Sequence, residues 1–112
     1  MIIEVNGVSL YVEDHGEGTP VLLIHGWPDS AYLWRHQIPF LTGHGFRAIA
    51  PDMRGFGRSS RPPEVADYTL AKAVGDVAGI LDTLGIEAAH VVGHDWGAAV
   101  AWLTATFIPD RV

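Results

Sequence analysis

Residues 88–97 read Ala88-Ala89-His90-Val91-Val92-Gly93-His94-Asp95-Trp96-Gly97, and a helix-forming stretch begins at Ala98. A short apolar run enters, a carboxylate stands at the turn, and a helix leaves. Glycines two residues to either side of Asp95 are what such a strand-to-helix turn demands. The central residue is strained, and only glycine lets the neighbouring backbones pass so close. The side chain of Asp95 is then exposed at the carboxyl end of the strand. This is the geometry of a nucleophile elbow, with Asp where Ser is more usual. An Asp between strand and helix is also a common N-cap, so the reading depends on what surrounds it.

Working outward, Ile2–Val5 and Val8–Val12 flank Asn6-Gly7, a dipeptide suited to a type I′ hairpin turn. The continuous apolar run Val21-Leu22-Leu23-Ile24 predicts a strand covered on both faces, as in a parallel sheet. His25-Gly26-Trp27-Pro28 follows at its carboxyl end. Ser30 predicts a helix cap, with the helix running to about Leu41 within the limit set by Pro39, and Gly43 and Gly45 end it. Phe46–Ala50 predicts another strand, stopped by Pro51, and Asp52–Pro63 is a loop by composition. From the N-cap Thr69, Leu70, Val74, Val77, Leu81 and Leu84 recur at alternating steps of four and three, one apolar helix face closed by Gly85. The helix after the elbow is apolar nearly all round and is expected to be buried on most sides. Alternating strands and helices imply a parallel sheet with helices on both faces.

The chemistry follows from the residue at the turn. A serine there needs a neighbouring base, whereas an aspartate, with a reference pKa of about 3.9, is already ionised at neutral pH and can attack an electrophilic saturated carbon unaided. The product is an ester on Asp95. Its release needs water activated by a general base, usually a His oriented by a second carboxylate. Two backbone N–H groups are placed to stabilise the oxyanion formed in that step, that of Trp96 at the helix N-terminus and that of Trp27 in the loop after Ile24.

Composition narrows the remaining classes. A chain of 112 residues, 48% hydrophobic, accommodates one small domain with a core, and the domain assignment is 1–112. A formal net charge of -6 disfavours nucleic acid and anionic membrane surfaces as partners. There is no cysteine, hence no disulfide framework or thiolate metal site, and together with a start that lacks a signal-peptide pattern this sets the expected compartment as cytoplasmic. No apolar stretch is long enough for a membrane span. Gly55-Phe56-Gly57-Arg58-Ser59-Ser60 lacks the third glycine of a dinucleotide fingerprint, and Pro62-Pro63 blocks the required helix. His90 and His94 are four apart but fall on a strand and its elbow, not on a helix as a zinc pair of that spacing requires, and no His-Glu-x-x-His occurs. His25 is expected to shape its loop by hydrogen bonding, Trp34 and Trp102 to belong to core or groove, and Arg54, Arg58 and Arg61 to form a solvated loop cluster.

His25-Gly26-Trp27-Pro28, Trp34-Arg35-His36-Gln37-Ile38-Pro39, Pro51–Ser60 and Gly93-His94-Asp95-Trp96-Gly97-Ala98 together resemble the α/β-hydrolase fold, specifically its epoxide hydrolases. The resemblance implies a three-layer α/β/α architecture, here the N-terminal half with its β-hairpin, parallel strands and flanking helices. It implies Asp95 as the nucleophile that opens the epoxide, the amides of Trp27 and Trp96 as the oxyanion hole, and His25, Gly26, Pro28, Gly93 and Gly97 as the residues that shape these motifs, with a cis peptide before Pro28. It also implies a small-molecule substrate, a vicinal diol product, and no cofactor or metal. Haloalkane dehalogenases share the elbow and are the rival reading, although many carry Asn where this chain has Trp27. Such families are longer, so the later strands, the acid, the catalytic His and the cap are expected to be missing. A third reading therefore stands beside the enzymes, a non-catalytic fragment or split half that needs a partner. With no later strands, the strand at Val91-Val92 is expected to be a sheet edge.

Overall fold

A computed structural model describes all of residues 1–112. Its strands are β1 (Ile2–Val5), β2 (Val8–His15), β3 (Thr19–Ile24), β4 (Phe46–Pro51) and β5 (His90–Gly93), in sheet order β1-β2-β4-β3-β5. The hairpin strands run antiparallel to each other and β2 antiparallel to β4, whereas β3 is parallel to both β4 and β5. The sheet is thus mixed, parallel only where helices connect the strands. The hairpin forms because Asn6 and Gly7 both take positive φ, 48° and 79°, as a type I′ turn requires. The Asn6 amide then donates to the Gly75 carbonyl at 2.8 Å and pins the turn to a helix.

Helices α1 (Gln37–Thr42), α2 (Leu70–Thr83) and α3 (Trp96–Phe107) complete the layers. Alternate residues of β3 and β4 face opposite sides. Leu22, Ile24 and Ile49 pack with Val77, Ile80, Leu81 and Val100 of α2 and α3. Val21, Leu23, Ala48 and Ala50 meet Ala31 and Trp34 on the other face. Thr69 caps α2 as expected, its hydroxyl accepting the Lys72 N–H at 3.2 Å, and Gly85 follows the helix at φ 68°. Each fully buried Leu or Ile on such a face contributes about 1.5–3 kcal/mol.

Several expectations are corrected. Strand β2 continues past Val12 through Glu13, Asp14 and His15, because these residues pair with Ala50, Ile49 and Ala48 and because Arg47 holds Asp14 with two bonds of 2.9 and 2.7 Å. The helix expected from Ser30 to Leu41 is broken: Ser30 caps a single 3-10 turn, Ala31–Trp34, and α1 starts afresh at Gln37. Pro39 has no N–H to give, and it sits in the first turn, where none is needed. On α2 it is Ile80 that is buried, while Leu70 stays 38% exposed. Helix α3 is not buried on most sides. Only Gly97, Val100 and Thr104 are buried, whereas Trp102 and Phe107 are 76% and 66% exposed, because β5 is the edge of the sheet and nothing lies beyond it. Trp34 is in the core and Trp102 on the surface. No helix is long and apolar enough to cross a membrane.

The arginine cluster also divides. Arg61 remains exposed and Arg58 lies over the Tyr11 ring at 4.4 Å, but Arg54 is buried. Its guanidinium grips the fully buried Asp76 of α2 with bonds of 2.6 and 2.7 Å and donates to the Asp67 carbonyl at 2.7 Å. Sequence spacing gave no sign of this pair, since a lone Asp among apolar helix positions reads as surface. Asp76→Ala leaves an uncompensated buried cation and should lower the unfolding free energy by about 3–5 kcal/mol, whereas Arg54→Met with Asp76→Leu should recover most of that loss. Urea unfolding of the two variants measures both.

Candidate active site

Asp95 occupies the junction of β5 and α3 with φ 59° and ψ -125°, an unusual conformation for a residue with a side chain. The glycines around it are there for contact. A Cβ on Gly97 would lie 2.1 Å from the Ile24 carbonyl oxygen, and one on Gly93 would lie 2.1 Å from that of Gly97. Gly26 meets the elbow from the other side, where a Cβ would come within 2.4 Å of the Asp95 Cβ. Three backbone segments, the end of β3, the end of β5 and the start of α3, therefore meet with no space for side chains. The His94 N–H donates to the Ile24 carbonyl at 3.1 Å and continues the ladder into the turn.

This approach brings the predicted partners together. The Trp27 N–H donates to Asp95 Oδ2 at 3.2 Å. Donation from the Trp96 N–H, then from Trp27, holds the Asp95 carboxyl below the usual carboxylate range. The carboxylate is exposed, as are the Trp27 and Trp96 side chains at 66% and 61%. The Trp27–Pro28 peptide is cis. A carboxylate held ionised by backbone N–H groups, one of them bonded to Oδ2, can attack an electrophilic carbon.

His25 has the structural place expected of it. The Met53 N–H donates to its Nε2 at 2.9 Å, so the ring proton sits on Nδ1 and is donated to the Gly26 carbonyl at 2.8 Å. Burial pushes its pKa down, and it stays neutral at physiological pH. Both nitrogens are engaged, which removes it as an acid or base. Reasoning from sequence missed Asp52. Its buried carboxylate accepts the Ala31 N–H at 2.7 Å and the Arg58 N–H at 2.9 Å, tying the loop after β4 to the loop after β3. The signal available was an Asp directly after a buried strand and before a glycine-rich turn.

No cluster of His, Cys, Asp and Glu that could hold a metal ion is present. A cavity of about 320 Å³ opens beside the elbow, between the loop after β3, the loop after β4, the start of α2 and α3.

The chain belongs to the α/β hydrolase fold family, whose profile matches residues 19–112. Its curated relatives include epoxide hydrolase 2 of Siraitia grosvenorii, 51% identical over 98% of this chain and 35% of that protein. They also include epoxide hydrolase B of Mycobacterium tuberculosis, 55% identical over 85% of this chain and 27% of that protein. Among solved structures, an epoxide hydrolase from Vigna radiata superposes with a TM-score of 0.98 at 43% identity, covering all of this chain and 35% of that one. Epoxide hydrolase A from Mycobacterium thermoresistibile gives 0.97 at 46% identity, covering all of this chain and 36% of that one. The chain thus spans about a third of the length of these relatives.

If the close approach at the elbow is what holds it, Gly97→Ala should lower the unfolding free energy by about 3 kcal/mol. Gly75→Ala, in the interior of α2 with its nearest new neighbour at 3.5 Å, should raise it by roughly 0.5–1 kcal/mol. Thermal and urea unfolding of the pair separates contact at the elbow from a general intolerance of added methyl groups.

Proposed function

We propose that Asp95 is the nucleophile of an epoxide hydrolase reaction, with the backbone amides of Trp27 and Trp96 as its oxyanion hole. The single observation that supports this most is the bond from the Trp27 N–H to Asp95 Oδ2, which joins two motifs 68 residues apart at one carboxylate. Asp95 attacks an epoxide carbon, the ring C–O bond breaks, and the resulting alkoxide takes a proton from solvent water, leaving hydroxide. An alkyl ester on Asp95 results. Water added to the ester carbonyl would place negative charge on the oxygen that faces the two amides, and collapse of that intermediate would yield the diol and free Asp95. The similarity to proteins named epoxide hydrolases supports the choice of electrophile.

The second step needs a general base, and no histidine of these residues bonds to Asp95. In this reading the base and its acid partner come from polypeptide beyond these residues, and the chain by itself carries out only alkylation. Displacement of halide is the rival use of the same carboxylate.

Intact-mass measurement after incubation with propylene oxide should show one adduct, located on the peptide that bears Asp95 and absent in Asp95→Asn. No adduct on that peptide would refute the proposal, and an adduct from a terminal bromoalkane but not from the epoxide would favour the dehalogenase reading. The pH dependence is a second test. Because the amides depress the Asp95 pKa, the reactive carboxylate persists as pH falls and is lost only below the ordinary value of about 3.9. Adduct formation should therefore stay level from about pH 8 to about pH 5, whereas a rate that fell through the histidine range near about 6.5 would point to a different nucleophile.

A further inference from the structure

We infer that a second cavity, formed where the 3-10 turn and α1 meet β2 and the loop after β4, binds an organic carboxylate with an apolar body, held by the guanidinium groups of Arg35 and Arg58. The inference is independent of Asp95, since this cavity shares no residue with the one beside the elbow.

The cavity holds about 350 Å³, within the roughly 300–1,000 Å³ typical of small-molecule sites, and its wall includes Tyr11, Glu13, Tyr32, Arg35, Ile38 and Arg58. Each arginine lies over a tyrosine. Arg58 sits 4.4 Å from the centre of the Tyr11 ring, and Arg35 sits 4.5 Å from that of Tyr32. Such cation–π contact restrains a guanidinium without using its N–H donors. Neither arginine forms an ion pair with a carboxylate. Arg35 gives one bond, to the Tyr32 carbonyl at 3.1 Å, and Arg58 donates through its backbone N–H alone, to Asp52. The carboxylates of the wall are in the opposite condition. Glu13 accepts from the Tyr11 hydroxyl and from His15 Nε2, both at 2.8 Å, and Asp52 accepts from the Ala31 and Arg58 backbone N–H groups. With donors to spare and acceptors engaged, the wall complements an anion.

Charge sets the kind of anion. The two arginines are balanced by Glu13 and Asp52, so a dianion would be repelled by as many charges as attract it. A carboxylate brings a single charge and matches the planar fork of an arginine with two parallel bonds. Ile38 and Pro39 of α1 line the same cavity and give the rest of the ligand an apolar surface to cover.

Titration of the chain with sodium benzoate at constant ionic strength, followed by heteronuclear NMR, should shift the Nε–H resonances of Arg35 and Arg58 and the amides of Tyr32 and Ile38. Benzyl alcohol at equal concentration should leave the arginines unmoved, and phenyl phosphate as its dianion should bind more weakly than benzoate. Arg58→Gln and Arg35→Gln should each weaken benzoate binding about tenfold through the loss of charge-assisted bonds. Arg58→Lys retains the charge without the fork and should recover only part of that loss. Arg61→Gln removes a neighbouring surface arginine outside the wall and should leave the affinity unchanged. All three arginines are exposed, so the variants should melt with the parent, and a lost affinity then reads the site and not the fold. Absent arginine shifts, equal shifts by benzoate and benzyl alcohol, tighter binding of phenyl phosphate, or a benzoate affinity that survives both glutamine variants would overturn the inference. An equal loss in Arg61→Gln would do the same, because binding would then follow overall charge.

Discussion

The contact on which the site depends is the seating of the start of α3 against the end of β3, where the Gly97 backbone lies over the Ile24 carbonyl with no space for a methyl group. This approach fixes how far Asp95 stands from the loop after β3. It therefore decides whether the Trp27 amide can reach the carboxylate. The positive φ at Asp95 is the strain that accompanies the fit, and the surrounding backbone holds it by leaving no room for a relaxed turn. An exposed carboxylate anywhere else on this acidic chain would be an ordinary surface group. Here it is aimed, kept ionised and supplied with amide donors.

Around that contact, buried polar groups hold the loops in place. His25 joins Gly26 to Met53, and Asp52 joins the start of the 3-10 turn to Arg58. Arg54 ties the same loop to the middle of α2 through Asp76. Each carries its bonds within the protein, as burial requires.

The far side of the sheet shows the opposite condition. Strand β5 ends the sheet, and Val92, Trp102 and Phe107 face outward with little over them. The elbow is thus firmly seated towards β3 and open on its other flank. The chain spans about a third of the length of its relatives, and their remaining length has no counterpart among these residues.

Much of the fold was legible in local patterns. The Asn6-Gly7 turn, the apolar run of β3, the capped face of α2 and the glycine-flanked Asp95 each rest on short-range sterics or periodicity, which a linear sequence records. The three-layer arrangement followed from their order. The break after Trp34, the extension of β2 through His15, the exposure of α3 and the burial of Arg54 were not legible, because each is decided by a partner far along the chain or by the lack of one. Asp95 as the turn residue could be read from its neighbours, and the Trp27 amide could be assigned to it through the motif. By itself the sequence determined which residue stands at the turn and why glycine must flank it, since backbone crowding there is local. Only the tertiary structure decided what that residue faces, because the Trp27 amide reaches the carboxylate from a segment that meets it only when β3, β5 and α3 pack together.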